Sequence, residues 1–103
     1  MVQEVESTAH YEKLLSAEGR GAKDLPVFID FYATWCGRCV MIKPVFEELS
    51  HQYSEKAIFL MADVDKCKEL SLQFMISATP TFIALKNGKQ MGIMKGLMKG
   101  AII

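Results

Sequence analysis

Hydrophobic residues occupy both parities of the run Val27-Phe-Ile-Asp-Phe-Tyr-Ala33, and Asp30 is its one charged interruption. An element apolar on both sides is covered on both sides, so the run predicts a strand inside a largely parallel sheet with helices packed over it. Ala57 to Ala62 has the same character and predicts a second buried strand. Between them the period lengthens. Ile42, Val45, Phe46, Leu49 and Tyr53 follow Cys39 at steps of three and four, one stripe of an amphipathic helix from Cys39 to Tyr53, with Pro44 expected to kink it. Ser7 or Thr8 is placed to cap an earlier helix running to about Glu18, and Glu18 to Pro26 reads as a polar loop with two glycines and a proline. Lys66 to Phe74 predicts a short helix; Thr81 to Leu85 and Lys89 to Met94 predict a hairpin around Asn87-Gly88. The resulting order is β, α, β, α, β, α, β, β with room for a last helix. It predicts an α/β fold in which a mixed sheet lies between layers of helix.

Composition narrows the picture. The chain has 103 residues, half of them hydrophobic, which suits one domain over residues 1–103 with a single modest core. Twelve basic and twelve acidic side chains cancel without a long run of either sign, so neither a nucleic-acid partner nor a membrane-surface partner is expected. Met1 to His10 carries Glu4 and Glu6 where a secretory leader needs an apolar core, and the longest uncharged apolar stretch, Ala57 to Ala62, is too short to cross a bilayer. A soluble cytoplasmic protein is the expectation. Three cysteines make no disulfide framework, and a C-x-x-C spacing near a βαβ pattern in such a chain reads as a redox motif.

That motif is Trp35-Cys36-Gly37-Arg38-Cys39, at the point where the first buried strand gives way to the helix. A helix beginning at or just after Cys36 turns its unpaired amides and positive dipole end toward that sulfur and favours the thiolate. Cys39 follows one turn later on the same face, with Cα atoms about 5 Å apart, inside the range a disulfide accepts. The pair can open and close with little backbone movement. The competing reading is half of a zinc site, but four ligands are normal there, and Cys67, His10 and His51 supply no second paired motif. Asp30 is the second informative residue. A carboxylate in the middle of an apolar strand is costly to ionise, so its pKa should rise, which suits either a proton carrier or an acid with a purely structural role.

Taken together, Phe28-Ile-Asp-Phe-Tyr-Ala33, Thr34-Trp-Cys-Gly-Arg-Cys39, Met41-Ile-Lys-Pro44, Asp63-Val-Asp65, Thr79-Pro-Thr-Phe82, Lys86-Asn-Gly88, Gly92 and Gly96 resemble the thioredoxin family along nearly the whole chain. The resemblance implies a thioredoxin fold with about five strands in a central mixed sheet and helices on both faces. It implies a protein-disulfide reductase in which Cys36 attacks a client disulfide and Cys39 resolves the mixed disulfide. Asp30 would assist the deprotonation of Cys39. Pro80 would follow a cis peptide bond and face the disulfide, although sequence alone favours trans. Thr79 would offer its backbone to the client, and Trp35, Gly37, Ala78 and Gly96 would line a shallow apolar groove around it. Trp35 on its own also reads as an ordinary core aromatic. The implied partners are a thioredoxin reductase, which draws on NADPH, and disulfide-containing clients. The chain would need no cofactor of its own.

Three departures qualify the resemblance. Arg38 stands where most thioredoxins have proline; it loosens the first helical turn and adds a cation near both sulfurs. A more oxidising pair than thioredoxin's, at about −270 mV, is therefore expected, with an arginine directed into solvent and of small effect as the alternative. Thr79 replaces a larger apolar residue, which affects client preference. After Gly96 only Leu97 to Ile103 follow, so the last helix is expected to be short or absent, leaving apolar surface and a monomer with weak self-association. Cys67, the odd thiol, reads as a small residue heading the short helix or as a regulatory thiol. The rival to the reductase is a module that docks on a partner according to redox state, and Arg38 also leaves room for a disulfide oxidase or isomerase.

Overall fold

The two runs that are apolar on both parities become neighbouring strands in the middle of the sheet. The computed structural model describes residues 2–16 and 25–95. Among them the elements run β1 (Val2–Val5), α1 (Thr8–Leu15), β2 (Val27–Tyr32), α2 (Gly37–Gln52), β3 (Ile58–Asp63), α3 (Lys68–Gln73), β4 (Thr81–Lys86) and β5 (Lys89–Lys95). The sheet order is β1-β3-β2-β4-β5. Strands β1, β3 and β2 are parallel, and β4 and β5 are antiparallel additions beyond β2. The sheet is mixed, as expected, and its parallel half is the half fed by helical crossovers.

Alternating side chains divide the core into two layers. Ile29, Phe31, Leu60 and Ile83 point to one face and pack with Tyr11 of α1 and Leu70 of α3. Phe59, Met61 and Phe82 point to the other face and meet Ile42, Phe46 and Leu49, the stripe of α2. Helices thus cover both faces of β2 and β3, which is why those strands carry no polar parity. Phe46 sits edge-on to Phe59 at a centroid distance of 5.4 Å, a preferred aromatic arrangement that fixes α2 against the sheet. Pro44 lies within α2 without ending it.

Several boundaries differ from expectation for local reasons. Helix α1 stops at Leu15 instead of about Glu18, because Ser16 turns to extended backbone and donates its hydroxyl to the Lys13 carbonyl at 2.8 Å. Helix α3 starts at Lys68, two residues later than expected. The chain before it is held in a turn by Asp63, whose Oδ1 accepts from the Asp65 amide at 2.8 Å and whose carbonyl accepts from Cys67 at 2.8 Å. The hairpin forms as read: Asn87 and Gly88 take φ of 54° and 76°, the paired left-handed conformations of a two-residue turn that matches strand twist. Gly96, the expected short C-terminal helix and the uncovered apolar surface proposed for it lie outside the described residues.

Candidate active site

The end of β2 delivers the chain to the start of α2 through Ala33, Thr34 and Trp35, and Cys36 becomes the N-cap. Its backbone is extended, with φ −96° and ψ 113°, the conformation a cap requires. Its sulfur accepts a hydrogen bond from the Cys39 amide at 3.2 Å, taking the place of the usual serine or aspartate oxygen. That bond stabilises negative charge on sulfur more than it stabilises a neutral thiol. Cys36 and Cys39 are joined in a disulfide, with Cα atoms 5.3 Å apart. The two thiols are therefore partners of one another, and among the described residues no group of three or more His, Cys, Asp or Glu is placed to hold a metal ion.

Both cysteines are nearly buried, at 8% and 4% exposed, against Ala33, Tyr32 and Val64. Next to them the chain leaves a small depression of about 140 Å³ lined by Trp35, Val64, Ile76, Ser77, Ala78 and Thr79. Trp35 is 72% exposed, so it is a surface aromatic and not a core one. Its indole N–H donates to Asp65 Oδ2 at 3.0 Å, which fixes the ring beside the cysteines. Thr79 and Pro80 are joined by a cis peptide bond, as the resemblance implies, and the Thr81 hydroxyl donates to the Ala78 carbonyl. Trp35, Ala78 and Thr79 are brought together as expected. Gly37 and Arg38, both exposed at the start of α2, do not line this depression. Val64, Ile76 and Ser77 do, and the sequence reading missed them. Nothing in their spacing marks them, because they meet only when the turns after β3 and α3 come to the same end of the sheet.

Asp30 is fully buried, and neither carboxyl oxygen has a hydrogen-bond partner among the described residues. Burial pushes its pKa up, the charge of Glu4 pushes it further, and the result is about 7. Asp30 pairs across the sheet with Met61 and Phe82, both beneath α2, so the carboxyl leaves the sheet on the face covered by the helix that carries Cys39. An acid that titrates near neutrality on that face is chemically equipped to exchange a proton with a thiol.

A sequence model described as Thioredoxin matches residues 2–103. The chain belongs to the thioredoxin family. The thioredoxin of Homo sapiens is 41% identical over 99 residues, covering 96% of this chain and 90% of that one. Among solved structures, reduced Schistosoma mansoni thioredoxin is 44% identical with a TM-score of 0.82, covering 92% of this chain and 85% of that one. Plasmodium falciparum thioredoxin is 33% identical with a TM-score of 0.84, covering 97% and 91%. Fold, family and a cysteine pair at bonding distance agree: this thioredoxin-family protein is a thiol–disulfide oxidoreductase of the protein-disulfide reductase type.

Proposed function

We propose that the protein reduces disulfides of client proteins with Cys36 as nucleophile, Cys39 as resolving thiol and Asp30 as proton carrier. The observation that carries this division of labour is the cap: the Cys39 amide points at the Cys36 sulfur, so Cys36 is the sulfur favoured as thiolate. In the reduced protein Cys36 attacks one sulfur of a client disulfide, forming a mixed disulfide and expelling the other client sulfur as a thiolate, which takes a proton. Cys39 then loses its proton to Asp30 and attacks Cys36; the Cys36–Cys39 bond forms, the mixed disulfide breaks, and the second client sulfur leaves as a thiolate that takes up a proton as Asp30 gives up its own. The client gains two electrons and two protons, and the protein is left oxidised. A thioredoxin reductase drawing on NADPH restores the dithiol, so the chain itself works without a cofactor.

Thr79, placed before the cis bond, offers its backbone to the client in strand-like fashion, and the depression beside Trp35 and Ala78 receives apolar client residues. Pro80 is buried and holds that segment against the site, and Gly37 and Arg38 flank the sulfurs. The cytoplasm is the compartment that suits a buried, unpaired Cys67, since reducing surroundings keep such a thiol free. Purified protein should reduce insulin disulfides with NADPH and a thioredoxin reductase, and Cys36→Ser should not. Turnover surviving in that variant would overturn the assignment of the nucleophile.

A further inference from the structure

Strand register places an acid on either side of Met61. Glu4 of β1 and Asp30 of β2 both pair with Met61 of β3, so the three side chains leave the sheet on one face, the face under α2. With strands about 4.8 Å apart, the Glu4 and Asp30 backbones are roughly 10 Å apart along this row. A glutamate on an exposed edge strand ordinarily turns to water. This one stays exposed but is tethered: Tyr32, two residues beyond Asp30 on the same strand face, donates its hydroxyl to Glu4 Oε2 at 2.7 Å.

We propose that Glu4 is a positioning residue for the proton step: pinned by the Tyr32 hydroxyl at one end of the Glu4–Met61–Asp30 row, its charge acts across that row on Asp30. The proposal rests on the role assigned to Asp30 in the proposed function. Burial is the larger influence on Asp30 and Glu4 the second. Met61, between the two acids, is apolar and brings no cation to offset them. Among the other ionisable groups on this face, the Tyr53 phenol packs against the same core layer at the end of α2. Asp63, opposite Tyr32 on β3, has Oδ1 engaged by the Asp65 amide. The Tyr32 hydroxyl is held well above its ordinary range by burial, by its bond to Glu4 and by the charges of Glu4, Asp63 and Asp30. From β4 the neighbour is Phe82, and on the buried side of α2 Cys39 is held in the disulfide and does not titrate; Lys43 of that helix is exposed. No described cation therefore stands on the buried face to cancel the coupling.

The test is a carboxyl ¹³C NMR titration of Asp30 in the oxidised protein, compared among wild type, Glu4→Gln, Tyr32→Phe and the double variant. Glu4→Gln removes the charge and keeps an acceptor for Tyr32. It should lower the Asp30 midpoint by roughly 0.3–0.6 pH units, the shift for unit charges about 10 Å apart in largely watery surroundings. Tyr32→Phe should produce a smaller fall, because the freed carboxylate relaxes into solvent. The double variant should match Glu4→Gln alone. Glu12→Gln on α1, across the sheet, should change nothing. In wild type, high salt should lower the midpoint as the exposed Glu4 is screened, and in Glu4→Gln that response should shrink. An Asp30 midpoint unmoved by Glu4→Gln, or additive effects in the double variant, would overturn the proposal. Because the titration reads Asp30 directly, it separates from the functional reading: a shifted midpoint in a protein that fails to reduce insulin would leave the coupling standing and remove the role for Asp30.

Discussion

Helices α2 and α3 each begin on a buried cysteine, Cys36 and Cys67, and the two sulfurs are used in opposite ways. The Cys36 sulfur turns inward over its own helix and accepts from the Cys39 amide. The Cys67 sulfur caps nothing; it turns away and donates to the Val5 carbonyl of β1 at 3.4 Å. An acceptor position favours the thiolate, and a donor position requires the thiol. Burial raises the Cys67 pKa most, Glu4 and Asp63 add to it, and Lys66 opposes without prevailing. A helix N-terminus therefore does not by itself activate a cysteine. The direction of the sulfur and the sign of the surrounding charge decide which of the two is redox chemistry and which is packing.

Removing each sulfur in turn should break the comparison most visibly. Cys36→Ser should lower insulin reduction by roughly a thousandfold or more, the loss expected when a nucleophile is deleted. Cys67→Ser should leave turnover within about twofold and cost stability, since it replaces a buried sulfur with a hydroxyl whose acceptor, Val5, is set at sulfur distance. Equal activity losses would show that Cys67 belongs to the machinery after all.

The second difference is the acid beneath the start of α2. α2 lies over Asp30, whose pKa is raised from 3.8 to about 7 in the folded protein. The native state binds that proton more tightly than the unfolded chain, so its contribution to stability is fully present below pH of about 4 and is lost as pH rises through about 7. Urea unfolding should record a fall of roughly 4 kcal/mol across that window from this group. Asp30→Asn should flatten the dependence and slow the release of reduced client by roughly tenfold. A pH-independent stability in wild type between 4 and 7 would remove Asp30 as a buried acid of unusual affinity.

Alkylation sharpens the comparison at the sulfurs themselves. In the reduced protein near neutral pH, iodoacetamide should modify Cys36 at least about a hundredfold faster than Cys67, and the Cys67 rate should rise only above the ordinary thiol range. Mass spectrometry of peptides after timed quenching would read both. Comparable rates would mean that the two helix starts are equivalent.

What the sequence disclosed and what it withheld follow one physical line. β2, α2, β3 and the hairpin were legible because each is governed by local rules: unbroken apolar parity, a stripe at helical spacing, and an Asn-Gly turn. The cysteine pair was legible because its chemistry depends on three residues of spacing, and Asp30 because charge amid apolar neighbours stands out in any strand. The Glu4–Tyr32 bond was not, since it spans twenty-eight residues and exists only because β1 inserts beside β3. Trp35 likewise keeps an ordinary core reading beside the favoured one, a cover over the site, until the Asp65 carboxylate, delivered by the turn after β3, fixes its ring in the open. Pairings between distant segments carry no local signature. Where sequence reading did reach such features, at the cis bond before Pro80, it did so through family resemblance.

The smallest expected effect concerns the cations. Each cysteine that heads a helix has one nearby in sequence: Lys66 immediately before Cys67, and Arg38 within the first turn after Cys36. Lys66 lowers its neighbour's pKa and is outweighed by burial and acids. Arg38 is exposed on α2, so solvent screens it, but it acts on a sulfur already favoured as thiolate by the Cys39 amide. Its charge should therefore stabilise the reduced, partly ionised pair over the neutral disulfide, making the couple more oxidising. Arg38→Pro should lower the reduction potential by roughly 10–30 mV, and Arg38→Lys should retain most of the wild-type value. Equilibration against a glutathione series reads both. If Arg38→Pro lowers the potential and Arg38→Ala does not, the stiffness of proline and not the charge of arginine is responsible, and the contrast with Lys66 loses its electrostatic basis.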